Sequence, residues 1–198
     1  MAKPLVVIFA RAPRYGAVKT RLARDIGSAE AIRFYRRTLF DLARRIGGDP
    51  RFETVVATTP DSAAQIHGIW PPQLRVARQG HGDLGRRMMR ALRGAGARPA
   101  VVIGSDVPGI TSRHLIVAFR SLGRAPFVLG PARDGGFWLI GARRPSCLRL
   151  ETLDGVRWSS STTMQETIER LGPVDVLPLV LEDVDDGETF RMVARMAR

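Results

Sequence analysis

The chain has 198 residues, with 31 Lys and Arg against 19 Asp and Glu, a formal net charge of +12 and one cysteine, Cys147. A single cysteine excludes a disulfide framework, and 44% hydrophobic residues provide for a packed core. The longest apolar run near the start, Leu5 to Ala10, is too short for a signal peptide or a membrane-spanning helix. We therefore expect one domain over residues 1–198 and a cytoplasmic protein without stable membrane insertion.

Strand and helix patterns alternate along the first half of the chain. Leu5 to Phe9 is a continuous β-branched and aromatic run, typical of a strand buried on both faces of a parallel sheet. Apolar residues then recur every three or four positions from Ser28, a predicted N-cap, to Ile46, and Gly47 ends that helix. The same criteria predict strands over 53–58, 74–77 and 100–104 and helices over 61–69, 85–93 and 112–122.

The second half continues the alternation. Two short strands are predicted over 126–129 and 137–140, around a glycine-rich turn. Thr163 and Glu166 form a predicted capping box for a helix that ends at Gly172, and residues 174–180 predict the last strand. The alternation predicts a three-layer α/β/α domain with a mostly parallel sheet. Ligands bind such sheets at the carboxyl ends of the strands, which directs attention to the loops after Ala10, Gly104 and Leu129.

The positive charge suggests a polyanionic partner: nucleic acid, a membrane surface or a phosphorylated small molecule. Arginine accounts for 29 of the 31 basic residues, an imbalance that base composition of the genome can produce. No RNA- or DNA-binding motif accompanies the charge, and two tyrosines offer little base stacking. We therefore expect no nucleic-acid partner, although a non-enzymatic nucleic-acid binder remains the alternative from another class.

The first loop is the strongest anion-binding candidate. Its cations lie within eleven residues next to a helix start, where free N–H groups favour a phosphate: Arg11, Arg14, Lys19 and Arg21. Lys19-Thr20 resembles the end of a P-loop, but Pro13 and Val18 stand where that motif requires glycine. The sequence thus favours phosphate binding without a P-loop.

A second glycine-rich segment, Gly80 to Gly85, matches the dinucleotide-binding fingerprint literally. That fingerprint belongs to the first strand–helix turn of its unit, and here it follows the third predicted strand. Helix capping explains these glycines better than nicotinamide binding does.

Acidic residues supply a candidate metal site. Asp106 follows a buried strand directly, and Asp183, Asp185 and Asp186 form a cluster near the C-terminus. Hard cations such as Mg²⁺ take one or two protein carboxylates together with phosphate oxygens. Two acidic sites that converge on a basic loop therefore predict a metal-diphosphate site.

A further segment, Gly130 to Gly141, combines glycines with possible ligand contacts. Gly135 and Gly136 after Asp134 let the backbone approach a ligand closely, and Phe137 and Trp138 either form a wall of the site or fill the core.

Taken together, the chain resembles a bacterial family of glycosyltransferase-like proteins, domain of unknown function 2064, with the GT-A or nucleotide-diphospho-sugar transferase fold. One branch of the family is associated with arsenosugar biosynthesis. The resemblance runs from Leu5 to about Phe190. Its matching blocks lie in order at 9–13, 16–22, 79–88, 104–108, 130–137 and 183–185.

The resemblance implies roles for individual residues. Asp106 corresponds to the acidic metal ligand of GT-A folds, and Asp185 resembles a late acidic ligand of related nucleotidyltransferases. The implied nucleotide- and phosphate-binding residues are Ala10, Arg11, Gly16, Lys19, Arg21, Gly80, Asp83 and Ser105. The implied acceptor-binding residues are Asp134, Gly135, Gly136 and Trp158, with Asp134 also placed to act on the acceptor.

Two departures from the family pattern matter. Arg11 stands where lysine is more usual, which keeps the charge and changes its geometry. The residues after Asp185 differ from the usual Asp-Thr-Pro-Glu-Asp, so either Asp183 or Asp185 is the second metal ligand.

The leading hypothesis is a transferase that uses Mg²⁺ or Mn²⁺, a nucleotide-sugar donor and a small-molecule acceptor. The nearest alternative is a nucleotidyltransferase that joins an NTP to a phosphorylated molecule with the same loop and metal. A transferase fold that binds nucleotides without turnover is a further possibility. The base, the acceptor and the oligomeric state are not encoded in any pattern we recognise.

Overall fold

A computed structural model describes the backbone of residues 2–196 and the side chains of residues 2–193. Its seven strands are β1 (Leu5–Arg11), β2 (Glu53–Thr59), β3 (Arg75–Arg78), β4 (Ala100–Gly104), β5 (Phe127–Pro131), β6 (Phe137–Ala142) and β7 (Val174–Val176). Its six α-helices are α1 (Thr20–Ile26), α2 (Ser28–Gly47), α3 (Leu84–Arg93), α4 (Ser112–Leu122), α5 (Thr163–Leu171) and α6 (Gly187–Met196). Short 3₁₀ helices cover Asp61–Gln65, Pro145–Cys147 and Leu150–Leu153.

The strands form one sheet in the order β3-β2-β1-β4-β6-β5-β7. Every pairing is parallel except those of β6, which runs antiparallel to both β4 and β5. The predicted mostly parallel α/β fold is therefore confirmed. After β1 the chain builds outward through β2 and β3, then returns to the other side of β1 as β4, so the strand order reverses between β1 and β4. A crevice opens at such a switch point, at the carboxyl ends of the two strands.

Alternating side chains of β1 pack into two separate helix layers. Val6 and Ile8 join a core that includes Leu39 and Leu42 of α2 and Leu115 of α4. Leu5 and Val7 face the opposite layer, which includes Met89 of α3 and Leu171 of α5. The period of two along a strand sends neighbouring side chains to opposite faces, so an unbroken apolar run requires helices on both sides. The predicted three-layer arrangement is thus confirmed, whereas a single domain over 1–198 stays a prediction.

The predicted start of the long helix is corrected by one residue. Gly27, with φ of 83°, is the N-cap of α2, and Ser28 is already helical without a side-chain cap. The sequence pattern also missed α1, whose seven residues are too few to display a clear period.

Other boundaries differ for local reasons. The predicted helix over 61–69 is a 3₁₀ helix that ends at Gln65. The capping box at Thr163 is wrong: Thr162 precedes the helix, and Glu166 instead binds the backbone N–H and guanidinium of Arg157. The last strand has three residues, with a separate bridge between Ala132 and Leu181 further along.

Helix α6 was not predicted. It packs against α1 and α2, where Phe190 meets Phe34 edge to face with ring centroids 5.2 Å apart. Within the described residues, no helix has both the length and the apolar composition needed to cross a membrane.

Candidate active site

A cleft of about 650 Å³ opens at the carboxyl ends of β1 and β4, where the strand order reverses. Its charged lining residues are Arg11, Lys19, Arg21, Arg87, Asp106, Asp134, Asp183 and Asp185. The cations and carboxylates are equal in number, so the cleft as a whole does not carry the excess positive charge of the chain. An added diphosphate would upset this balance unless a cation entered with it.

Tyr35 ties the two strand ends together. The backbone N–H of Arg11 donates to the Tyr35 hydroxyl at 2.9 Å, and that hydroxyl donates back to the Arg11 carbonyl at 2.9 Å. The hydroxyl also lies 3.1 Å from Oγ of Ser105, in the loop after β4. Burial raises the pKa of Tyr35 to about 12, so the phenol stays neutral in the physiological range. The helical periodicity from Ser28 to Ile46 includes Tyr35, but it could not reveal which groups the Tyr35 hydroxyl contacts.

Lys19 lies at the centre of the charged cluster. It is the N-cap of α1 in a left-handed conformation, with φ of 49° and ψ of 47°. Its side chain is 5% exposed, and Nζ lies 3.0 Å from Oδ2 of Asp106 and 2.6 Å from Oδ1 of Asp185. Burial lowers the pKa of the ammonium, but these two carboxylates outweigh burial and leave the pKa above its ordinary value. The residue predicted to contact phosphate therefore holds two carboxylates here.

Three carboxylates converge beside this ammonium. Oxygen atoms of Asp106, Asp183 and Asp185 all lie within 4.8 Å of one another. Burial, followed by the nearby charges of Asp185 and Asp106, raises the pKa of Asp183 to about 6. Like charges held this close cost free energy unless a cation or a proton neutralises them. The two candidates for the second metal ligand, Asp183 and Asp185, thus lie in the same group of carboxylates, and the choice between them stays a prediction.

The backbone around Val184 delivers the late carboxylates to the cleft. Val184 is fully buried in a small core with Leu22 of α1 and Ala31 of α2. The N–H of Gly187 donates to the Asp25 carboxylate at 2.7 Å, which anchors the following turn to α1. Since Lys19 is the N-cap of α1, the helix that positions the ammonium also helps to position Asp185.

Gln79 and Arg87 form a further polar unit that the sequence analysis did not place in the site. Gln79 is 3% exposed and donates to the carbonyls of Ala57 at 2.8 Å and Ala10 at 3.3 Å. Its Oε1 accepts from Arg87 at 2.8 Å, which holds that guanidinium at the cleft. Both residues lie within the block 79–88 that matches the family. The site roles predicted in that block were those of Gly80 and Asp83.

Two predicted phosphate-binding residues in that block have local structural contacts. The Asp83 side chain accepts from the Arg86 N–H at 2.8 Å and caps α3. The N–H of Gly80 donates to the Asp61 carboxylate at 2.9 Å. Neither residue lies along the cleft, and the same is true of Gly16 in an exposed turn.

The hairpin between β5 and β6 presents Asp134 to the cleft. Oδ1 of Asp134 accepts from the Gly136 N–H at 2.9 Å, which tightens the turn. Gly135 has φ of 85°, and a Cβ atom there would lie 2.2 Å from the carbonyl oxygen of Ser161. This position therefore accepts only glycine, and the close contact joins the hairpin to the Ser159–Ser161 segment that also lines the cleft.

A second cavity of about 240 Å³ adjoins the charged cleft. Asp106, Asp134 and Asp183 line both, as do Phe9, Leu84 and Ser159, and the remaining lining of the second cavity is largely apolar. Its aromatic and aliphatic residues include Phe9, Met88, Phe137, Trp138, Ile140 and Trp158. The Phe137 and Trp158 rings meet at 76° with centroids 6.4 Å apart. A charged compartment thus opens directly into an aromatic one.

The structure brings most of the predicted site residues to these cavities. Those along the charged cleft are Ala10, Arg11, Lys19, Arg21, Ser105, Asp106, Asp134 and Asp185. Gly136 and Trp158 lie along the apolar cavity, whereas Gly135 acts through its contact with Ser161. The functional roles of all these residues stay predictions.

A family of bacterial proteins matches residues 42–160 and is described as "Uncharacterized protein conserved in bacteria (DUF2064)". No curated protein sequence matches the chain.

Solved structures share the fold over nearly the whole chain. One is a "putative nucleotide-diphospho-sugar transferase" from Desulfovibrio desulfuricans G20, with 28% identity, 100% of this chain and 89% of that chain covered, and a TM-score of 0.89. CMP:2-keto-3-deoxy-manno-octonic acid synthetase complexed with CTP has 18% identity, 99% coverage of each chain and a TM-score of 0.56. Rv0371C of Mycobacterium tuberculosis H37Rv, in complex with manganese, has 16% identity, 98% and 99% coverage and a TM-score of 0.57. The chain thus has the predicted nucleotide-diphospho-sugar transferase fold.

Proposed function

We propose that this chain, which belongs to the DUF2064 family of bacterial proteins, is a metal-dependent transferase acting on a nucleotide-diphosphate sugar. The observation that carries the proposal is the carboxylate cluster of Asp106, Asp183 and Asp185 beside a basic loop, at the switch point of the sheet. The Desulfovibrio relative, which is similar over the full chain, supports the same class of activity.

The carboxylate cluster fits Mg²⁺ or Mn²⁺. Its donor atoms are all carboxylate oxygens, the ligands that these hard cations prefer. Burial of Asp183, followed by repulsion from Asp185 and Asp106, raises its pKa, and a divalent cation would relieve that repulsion. Such a cation would neutralise the charge that develops on the leaving nucleoside diphosphate.

The basic residues of the cleft would hold the diphosphate. Arg11 and Arg21 reach it from the ends of β1 and α1, and Arg87 reaches it from α3. Guanidinium groups bind phosphate oxygens in pairs, so three of them on separate elements orient the diphosphate as well as bind it.

Asp134 would act on the acceptor. It lies where the charged cleft and the apolar cavity meet, and its carboxylate is exposed to both. There it can orient an acceptor hydroxyl and accept its proton. The apolar cavity with Gly136 and Trp158 would hold the body of a small acceptor with a nonpolar face.

A nucleotidyltransferase is the second candidate. Its supporting observation is the shared fold of the synthetase complexed with CTP. The phosphate-binding arginines and the carboxylates would be used in the same way, and pyrophosphate rather than a nucleoside diphosphate would leave.

Calorimetric titration tests the site. UDP, GDP, CDP and dTDP are titrated into the protein with and without Mn²⁺, and we expect one of them to bind in a Mn²⁺-dependent manner. Asp106→Asn should weaken this binding at least 10-fold, by analogy with the loss of a metal-site group. The matched control is Asp41→Asn, which changes an exposed carboxylate on α2 that pairs with Arg44.

Metal-independent binding, or no binding of any of the four, would contradict the metal-diphosphate site. Product analysis then separates the two candidates. Release of a nucleoside diphosphate from a sugar nucleotide supports the first, and release of pyrophosphate from an NTP supports the second.

A further inference from the structure

The ammonium of Lys19 contacts two of the three carboxylates that a metal would use. Its ammonium contacts Oδ2 of Asp106 and Oδ1 of Asp185, and both residues belong to the three-carboxylate cluster. Those contacts are 3.0 and 2.6 Å long, so the ammonium lies directly against the oxygens. A divalent cation on the same oxygens and the ammonium would repel each other at contact distance. The two cations therefore compete for one set of ligands.

The backbone holds the ammonium in this competing position. Lys19 is the N-cap of α1 and has a positive φ of 49°. Among the described residues, Ser159 is the other non-glycine residue with a positive φ. The left-handed conformation is unfavourable for a residue with a Cβ atom. The Lys19 side chain is 5% exposed, so it has little freedom to leave the carboxylates unless another cation replaces it.

A diphosphate bound in the cleft would give the displaced ammonium a new partner. Arg21, two residues after Lys19, lines the same cleft as Arg11 and Lys19. A diphosphate bound by these arginines would bring anionic oxygens close to Lys19. An ammonium is a compact point charge on a flexible stem, so it can exchange carboxylate for phosphate oxygens with a small movement.

We propose that Lys19 couples metal binding to nucleotide binding. Without a diphosphate, its ammonium competes with the divalent cation for Asp106 and Asp185. With a diphosphate, the ammonium moves to the phosphate and releases the carboxylates to the metal. This inference rests on the proposed metal-diphosphate site and assigns Lys19 a positioning role in it.

The coupling is reciprocal by thermodynamic linkage. The diphosphate should raise the affinity for the metal by the factor by which the metal raises the affinity for the diphosphate. Couplings of this kind are typically about 5- to 150-fold. Removal of the ammonium should strengthen binding of the metal alone and reduce the coupling.

Binding of Mn²⁺ provides the first test. Free Mn²⁺ is measured by electron paramagnetic resonance with wild-type protein, Lys19→Met and Lys19→Gln. We expect both variants to bind Mn²⁺ alone at least about 5-fold more tightly than wild type. Two neutral substitutions are used because loss of the ammonium removes the charge that compensates the carboxylates, and circular dichroism identifies the variants that fold. Arg24→Met is the matched control: Arg24 is an exposed cation of α1 that does not line the cleft, and we expect unchanged affinity for Mn²⁺ alone.

Inorganic pyrophosphate serves as the diphosphate probe, because it does not depend on the unknown base. The titrations are repeated with pyrophosphate, after correction for its own affinity for Mn²⁺. Pyrophosphate should raise the Mn²⁺ affinity of wild type by a larger factor than that of the Lys19 variants. Equal factors, or weaker Mn²⁺ binding by the folded variants, would overturn the inference.

The lysine content of the chain permits a second test on the unchanged protein. Lys3 and Lys19 are its two lysines, and Lys3 is exposed. Acetylation by an amine-reactive ester, read by mass spectrometry, should label Lys19 faster when Mn²⁺ is added and leave Lys3 unaffected. Further addition of pyrophosphate should protect Lys19 again.

The outcomes separate this inference from the proposed function. Mn²⁺ binding that leaves the labelling of Lys19 unchanged would overturn the displacement of the ammonium and leave the metal site in place. An absence of Mn²⁺ binding in wild type and both variants, with and without pyrophosphate, would contradict the metal site and the inference together.

Discussion

Nζ of Lys19 lies 2.6 Å from Oδ1 of Asp185, although 166 positions separate the two residues along the chain. The contact joins the loop after β1 to the segment before α6. The Lys19 ammonium also donates to Asp106, in the loop after the central strand β4. The site therefore forms only when both ends of the chain are packed against β4.

Tyr35→Phe should destabilise the protein by about 1–3 kcal/mol, because it removes the hydroxyl that satisfies the N–H and the carbonyl of Arg11. The free energy of unfolding in urea measures the change. Tyr15→Phe is the control, since Tyr15 is 72% exposed and should lose almost nothing. Equal stability of Tyr35→Phe and wild type would show that the hydroxyl does not support the strand end.

Asp183→Asn should stabilise the protein above pH 6 and have little effect near pH 4. The folded-state pKa of about 6 lies above the ordinary value of 3.8, so the folded protein binds the proton more tightly than the unfolded chain. The stability that protonated Asp183 contributes to the folded protein is fully present below pH 3.8 and is lost as the pH rises through about 6. Melting temperatures of wild type and variant at pH 4 and pH 8 measure the difference. A stabilisation that is the same at both pH values would contradict the shifted pKa.

Affinity for Mn²⁺ should fall as the pH drops through about 6, because protonation of Asp183 removes one anionic ligand from the cluster. Calorimetric titrations between pH 5 and 8, in buffers of matched ionic strength, give the profile. Asp183→Asn should lower the affinity at pH 8 and flatten the profile. A wild-type profile that is flat across this range would indicate that Asp183 does not take part in metal binding.

Gly135→Ala should be markedly destabilising. The added Cβ would lie 2.2 Å from the backbone oxygen of Ser161 and 2.5 Å from its Cα, so backbone atoms must shift to admit it. Gly16→Ala is a matched control, because Gly16 also has positive φ, at 72°, but its Cβ would meet no atom within 4 Å. The control should show only the conformational cost of about 1 kcal/mol, and Gly135→Ala should exceed it in urea unfolding. A similar loss in both variants would mean that the contact with Ser161 relaxes easily.

The local pattern of the sequence was enough to predict the layered α/β fold of this protein. The unbroken apolar runs at Leu5 and Ala100 predict strands covered on both faces, and the alternation with helices predicts the layers. Because ligand sites in such sheets lie after the strands, the position of Asp106 directly after β4 also pointed to the site. The sequence pattern also singled out Asp134 and the cluster around Asp185, and the resemblance to the family added the roles expected of them.

Only the tertiary structure decided how the charges are paired. The abundance of arginine suggested an excess of positive potential, yet the cleft has as many carboxylates as cations and Lys19 is bound between two of them. The role of the Tyr35 hydroxyl and the docking of α6 were likewise absent from the local pattern. Periodicity reports which side of an element is buried, whereas an ion pair or a hydrogen bond depends on atoms that distant segments bring together. The physical reason is that burial follows from neighbours along the chain, and electrostatic partnership follows from neighbours in space.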